Sequence, residues 1–435
     1  MRVGRGLVGA VAAVLGAAVA VGCAPVQSKP VGGAANSPDH ATGTLRVWLF
    51  DEANRAPKEA VVREAAAEFE SAHPGVRVDV QYVQVDSRAE RFKAAFNDPR
   101  SAPDVAEFGN TDLAGYVAAG GFADLGADLA SWTEARDLTP SVLDTARVDG
   151  KTYATPWYVG VRALYYRTDV FEELGLRPPR SAAELVETAR RIRERRPDLY
   201  GISVGGKYTY AMLPFLWSAG GDLARRDGAN WVSTVDQEPA RAGISRYAEL
   251  LRDDVCPPAQ CAQMTGSSSV QAFAAGKAAM TVGGDFNRKA VDAGVAAGKY
   301  AVVPLPGERE GSVAPAFAGG NLLGVLRGTE RRTLAVAFTK LLAGKKYQRK
   351  MFEAMGNLPT FTDLQREVAE GQPFQRPFVD TLAAGTRFVP ATPAWAKIDA
   401  QAVLPTAVQE IATGAKTAPE ATRAAAERMN AAFRS

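Results

Sequence analysis

Five polar side chains of this sequence are placed where chemistry could occur: Asp51 and Glu52, Asn110 and Thr111, and Asp285. Each group stands at or just beyond the carboxyl end of a short segment that reads as a strand. Carboxylates and an amide converging on one crevice can hold a ligand through paired hydrogen bonds. Two carboxylates facing each other across a gap can instead hydrolyse a glycosidic bond, and Asp51, Glu52 and Asp285 would then supply the acid and the base. No residue pattern marks any of the three as perturbed. Histidine chemistry is close to excluded. Only His40 and His73 occur, and His40 lies in a linker, which leaves little from which to build a histidine metal site or a Ser-His-Asp triad.

The elements that must position these groups follow from periodicity. Residues 44–50 read as a strand that ends at Asp51-Glu52. A helix over about 57–72 comes next, with Ala60, Val61, Ala65 and Phe69 at helical spacing. His73-Pro74-Gly75 stops it, 76–83 alternates as a strand, and a helix over about 87–96 follows. A third strand over 103–108 leads through Gly109 to a helix capped at Asn110-Thr111. This β-α-β-α-β-α order predicts a parallel sheet with helices outside. Asp285 closes a second unit of the same kind. A helix carrying Val270 and Phe273 ends at Gly276. The apolar run 278–282 suits a strand buried on both faces, and Gly283-Gly284 allows close backbone approach. Asp285 is then placed to cap a helix running through Asn287 and Val291. Such strand ends build the ligand crevice of an open α/β sheet. The aromatic segment 150–169 has no helical period and fits a long strand leaving one domain for another. The chain crosses back over 315–326, and nearly everything from Glu330 onward reads as helix.

The 435 residues allow two domains, and 46% apolar with 23% charged residues is ordinary for a globular chain. A net charge of +3 gives no argument for nucleic acid. The basic run 190–196 is spaced as a solvated helix face. Arg2 and Arg5 precede an uncharged apolar run over 6–21 that closes on Ala20-Val21-Gly22-Cys23, which predicts a secretory signal over 1–22. The Pro-, Gly- and Ser-rich stretch after it, to residue 43, reads as a tether. Export would place Cys256 and Cys261 in an oxidising compartment, where the small loop between them is expected to close as a structural disulfide.

Several stretches carry a resemblance. Cys23 directly after the small-residue site resembles the bacterial lipobox, with Ala20 where leucine is usual; lipidation of Cys23 would hold the protein on the outer face of the cell membrane. Pro103-Asp104-Val105, Gly120-Gly121-Phe122, Tyr165-Tyr166-Arg167, Gly220-Gly221 and Phe273-x-x-Gly276-Lys277-x-Ala279-Met280 resemble, in order and spacing, the sugar-binding extracellular solute-binding proteins of ABC importers. The resemblance runs from about residue 44 to the end. It implies an α/β, two-lobed, type II periplasmic-binding-protein-like fold with the ligand cleft between lobes. It implies no reaction, no cofactor and no metal. Lobe 1 would comprise 44–160 and 284–325, and lobe 2 161–283 and 326–435. Carried onto this sequence, the family's sugar contacts fall on Asp51, Glu52, Asn110, Thr111, Trp157, Tyr158, Arg162, Trp217, Asp285, Phe286, Gly320, Asn321 and Trp395. Flat aromatic rings would cover the apolar face of a sugar, while Asp, Asn and Arg take its hydroxyl rim. The implied role is capture of a di- or oligosaccharide by a monomer and delivery to an ABC permease. Glu107-Phe108-Gly109-Asn110-Thr111 with Gly160-x-Arg162 leans toward chitobiose-type amino sugars. The competing classes are a binder of another solute, such as a phosphate ester or polyamine, and a secreted glycoside hydrolase.

Overall fold

The structure, a computed structural model, describes residues 38–52, 55–98 and 100–435. The expected signal over 1–22, Cys23 and most of the tether lie outside the described residues. Two sheets organise the rest. Strand β1 (Gly43–Asp51), helix α1 (Arg55–Ala72), strand β2 (Val76–Gln84), helix α2 (Arg88–Asn97) and strand β3 (Val105–Gly109) follow each other as the alternating pattern predicts. β1 runs parallel to both β2 and β3, with Val47 opposite Val80 on one side and Val105 on the other. Period-two alternation sends Leu45, Val47 and Leu49 to one core, against Val61, Val62 and Phe69 of α1. Trp48 and Phe50 go to the other, against Phe92 and Phe108.

The sheet is not parallel throughout. Strand β4 (Thr155–Gly160) and the late strand β8 (Gly319–Val325) complete it in the order β2-β1-β3-β8-β4, and both of their pairings are antiparallel. The register of β8 against β4 shifts between Asn321 and Leu322. Such a bulge twists a strand and re-aims a side chain, here at the sheet's open end.

The segment 150–169 does cross between sheets. After β4 the chain passes the buried Val161 and continues as strand β5 (Arg162–Arg167), the centre of a second, antiparallel sheet. Strand β6 (Met280–Gly284) flanks β5 on one side, and strand β7 (Tyr300–Val303) flanks it on the other. β6 is buried along its whole length, as the short, largely apolar run 278–282 predicts. The largest core lies behind this sheet and takes in helix α3 (Thr209–Ser218), Tyr247 and the late helices. Cys256 and Cys261 are bonded to each other within it.

Two expected boundaries differ from the packing. Because β7 pairs with β5, the chain returns to the first sheet at Gly319, not at 284. Helices α4 (Arg332–Leu342) and α5 (Lys345–Met355) then pack on the first sheet's core through Leu334, Phe338, Tyr347 and Met351. Lys350 of α5 also ion-pairs with Glu64 of α1 at 2.6 Å. The stretch after 326 is therefore shared between the two sheets. Helix α6 (Ala394–Ala400) and the helices after it belong to the second core.

Candidate functional site

A cavity of about 440 Å³ opens where the strand ends of both sheets meet. From the first sheet it is walled by Glu52 after β1, by Asn110 and Thr111 after β3, by Tyr158 and Gly160 of β4, and by Gly319, Gly320 and Asn321 of β8. From the second come Arg162, Asp285, Phe286, Tyr210 and Phe317. A neighbouring space of about 410 Å³ shares Arg162, Tyr210 and Phe286, and adds Lys207, Tyr208, Thr265, Asn287 and Asp399.

The first-sheet wall is built over a buried charge cluster. Lys58 on α1 is fully buried, and its Nζ lies 2.8 Å from Glu52 Oε1, 2.8 Å from Glu107 Oε2 and 3.3 Å from the Phe50 carbonyl. Burial works against that ammonium, but Glu107 and then Glu52 outweigh it and hold its pKa above the ordinary lysine value. Glu107 Oε2 also accepts the Phe50 N–H at 2.7 Å. Glu107 Oε1 accepts from the Tyr158 hydroxyl at 2.8 Å and from Asn321 Nδ2 at 2.5 Å. The same hydroxyl lies 3.1 Å from Glu52 Oε1. Burial, with Glu107 and Glu52 alongside, raises the Tyr158 hydroxyl well above the usual tyrosine range, so it remains a donor.

The second-sheet wall is aromatic around one cation. Arg162 donates from Nε to the Tyr208 hydroxyl at 2.9 Å, and its guanidinium lies 5.4 to 5.8 Å from the ring centres of Tyr208, Tyr210 and Phe286. Tyr210 stacks on Phe317 at 4.4 Å, and Phe317 on Phe388 at 5.5 Å. Phe286 is 50% exposed, so its ring is open to the cleft.

Asp285 sits between the walls. It does not cap the turn that follows; Asn287 does, accepting the Gly284 N–H at 2.7 Å. The Asp285 carboxyl turns inward instead, and Oδ1 accepts the Val161 N–H at 3.1 Å. Oδ2 is buried with no partner among the described residues. Burial raises its pKa to about 7. Gly320 makes room nearby, since a Cβ there would lie 2.4 Å from the Tyr158 carbonyl oxygen.

Of the residues expected in the site, Glu52, Asn110, Thr111, Tyr158, Arg162, Asp285, Phe286, Gly320 and Asn321 wall this one cavity. Four do not. Trp157 is fully buried in the first-sheet core with the Lys58 ammonium 5.1 Å from its ring. Trp217 and Trp395 are each 2% exposed in the second core. As the largest apolar side chains they gain most from burial, so they lie behind the walls. Asp51 turns away and accepts from Gln84 Nε2 at 2.6 Å and from Arg55 at 3.3 Å. Residues not anticipated are Lys58, Glu107, Tyr208, Tyr210, Phe317 and Asn357. Two of them left a signal. Lys58 stands three, four and seven residues before Val61, Val62 and Ala65, on the buried face of α1, and Glu107 interrupts an apolar strand.

Residues 53–349 match the family described as bacterial extracellular solute-binding protein, well over half of the chain. The chain belongs to that family. The solute-binding protein is 26% identical over 390 residues to the diacetylchitobiose-binding protein DasA of Streptomyces coelicolor, covering 89% of each chain. It is 23% identical to a lactose-binding protein of Rhizobium radiobacter, covering 73% of this chain and 75% of that one. Among solved structures, the GacH receptor of Streptomyces glaucescens, determined unliganded and with acarbose, is similar with a TM-score of 0.72 and 26% identity. The match covers 90% of this chain and 99% of that one. The sugar-binding protein MalE of Xanthomonas citri shares the fold, with a TM-score of 0.79 at 22% identity over 90% and 98% of the two chains. The solute-binding protein thus has the two-lobed α/β fold of the type II periplasmic binding proteins, with its cleft between the sheets. No helix among the described residues is long and apolar enough to cross a membrane.

Proposed function

We propose that this solute-binding protein captures a di- or oligosaccharide outside the cell and hands it unaltered to the membrane subunits of an ABC importer. One observation carries the reading: a single crevice combines exposed or stacked rings (Phe286, Tyr210) with fixed hydroxyl, amide, guanidinium and carboxylate groups. Rings suit the apolar face of a sugar, and the polar groups suit its hydroxyls. The two adjoining spaces fall within the roughly 300–1,000 Å³ of ordinary small-molecule clefts and suit two or more linked rings. A chitobiose-type amino sugar is our first candidate, supported by the likeness to a diacetylchitobiose-binding protein along 89% of the chain.

Binding is favoured over hydrolysis by the family match and by the likeness to binding proteins for diacetylchitobiose and lactose. Of the two carboxylates that wall the central cavity, Glu52 is held by Lys58 through Oε1, and Asp285 keeps a buried oxygen with no partner among the described residues. We assign 43–160 with 319–371 to one lobe and 161–318 with 376–433 to the other. Ligand contacts from both walls then favour the closed arrangement of the lobes, which is the signal to the permease. Attachment through a lipid on Cys23 belongs to the same reading, and Cys23→Ala should move the protein from the membrane fraction to the medium.

A thermal-shift screen over mono- to tetrasaccharides tests the function, because a ligand of the folded state raises the melting temperature. At least one oligosaccharide should stabilise the protein. Turnover of chromogenic glycosides, blocked by Asp285→Asn, would overturn the transport reading.

A further inference from the structure

We propose that Lys58, which does not touch the cleft, is its positioning residue: its ammonium clamps Glu52 to Glu107, and Glu107 in turn fixes the Tyr158 hydroxyl and the Asn321 amide at the ligand-facing wall. The ligand arm of this proposal rests on the sugar-binding reading above; the clamp itself does not.

The geometry is that of a relay. An ammonium has three protons, and Lys58 spends them on three acceptors, Glu52, Glu107 and the Phe50 carbonyl. The Glu107 carboxylate is divided by function. Oε2 faces inward and is held by Lys58 and by the Phe50 N–H, so α1 and β1 both anchor it. Oε1 faces outward and receives Tyr158 and Asn321. Both of those residues, and Glu52, wall the central cavity, whereas Lys58 and Glu107 do not. The terminal torsion of a glutamate is soft and roughly two-fold, so without Lys58 the Phe50 N–H alone would hold the inner oxygen, and the carboxylate would be less firmly fixed in one orientation. Tyr158 has a single proton and two carboxylates within reach, at 2.8 and 3.1 Å. Which one it serves is decided by where Lys58 holds them. Trp157 covers the ammonium from the core side and leaves water no access.

Removing the ammonium leaves a buried carboxylate without its counter-charge. Such a group remains buried only by taking up a proton, which becomes harder as pH rises. A purely structural lysine would behave differently. Its loss would lower the melting temperature by the same amount at every pH and leave the affinity of the folded protein alone.

The test compares the wild type with Lys58→Met, Glu107→Gln and the double variant Lys58→Met/Glu107→Gln, all as the full chain. Without ligand, the melting temperature of Lys58→Met should fall increasingly below the wild type from pH 5 to pH 8. The double variant, whose one remaining carboxylate of the cluster, Glu52, is partly exposed and reaches water, should run close to parallel with the wild type. With ligand, calorimetric titration uses diacetylchitobiose, lactose and maltotetraose as probes. The sugar that the wild type binds should bind Lys58→Met roughly 10- to 100-fold more weakly at pH 8, the range for loss of a charge-assisted hydrogen bond. The deficit should shrink at pH 5, and the double variant should recover part of it. A constant difference in melting temperature across pH, or an affinity for Lys58→Met within twofold of the wild type, overturns the proposal. If the wild type binds none of the three sugars, the sugar reading fails by itself, and the ligand-free pH series still decides the clamp. If Lys58→Met does not fold, the double variant carries the decision: failure of that variant too shows a packing role.

Discussion

Asp285→Asn turns the buried carboxyl of the cleft into a measurable pH dependence. Burial raises this group from 3.8 to about 7. Between those values the folded protein holds a proton that the unfolded chain has released, so unfolding is progressively favoured as pH rises through the window. The contribution is complete below about pH 4 and is lost by about pH 7 to 8. At about 1.4 kcal/mol for each tenfold change in proton affinity, the loss amounts to at most about 4 kcal/mol. With an unfolding entropy of about 2.1 cal/mol/K per residue, that corresponds to roughly 5 °C for a chain of this size. Asparagine can keep the bond from the Val161 N–H but cannot titrate. It places an amide where Oδ2 lacks a partner, which adds an offset that does not vary with pH. Melting curves of both proteins from pH 4 to pH 8 should therefore converge or diverge by about 5 °C, with the variant gaining on the wild type as pH rises. Parallel curves would refute the reasoning. A ligand hydroxyl donating to Oδ2 favours the ionised carboxyl. Sugar affinity of the wild type should then increase toward pH 8, with proton release visible as buffer-dependent heat of binding.

Three further outcomes follow from the same geometry. Arg162→Ala combined with Tyr210→Ala removes the cation and the stacked ring shared by both spaces, and sugar-induced thermal stabilisation should vanish; an unchanged shift would show that the ligand sits elsewhere. Gly320→Ala drives a methyl against the Tyr158 carbonyl, so denaturant titration should show a loss of about 2 kcal/mol or more, and a stability equal to the wild type would contradict the close approach. Reducing the Cys256–Cys261 bond, or replacing both residues by alanine, should cost about 2 kcal/mol for so short a loop while sugar affinity stays within twofold, since neither sulfur lines the cleft.

The alternation in 44–108 made the first sheet's β-α-β-α-β run legible, because strand period and helix period differ sharply there and each helix carries its stop. The crossing at 150–169 and the buried strand before Asp285 were legible for the same reason. The antiparallel entry of β4 and β8 was not, since pairing direction depends on tertiary path and leaves no local trace. The strand ending at 301–303 was readable, but not its place beside β5, since four residues, Tyr300–Val303, do not say which sheet they join. α4 and α5 have clear apolar faces, but an apolar face does not say which of two cores it will meet. In the site, polar residues at strand ends were readable from position alone. Trp157, Trp217 and Trp395 were not, because a tryptophan gains by burial in a core as much as by stacking on a ligand, and only packing decides between them. Lys58 shows the converse: a charge on the buried face of a helix could have been read as a partnered one, and its partner Glu107 as its complement.

The central claim is that the crevice between the sheets holds an intact sugar. A crystal structure of the protein grown with its tightest-binding oligosaccharide tests this most directly. The account predicts an unbroken glycan between the lobes, one ring against Tyr210 or Phe286 and a hydroxyl on Asp285 Oδ2. A sugar bound outside this cleft, or cleaved within it, would contradict it.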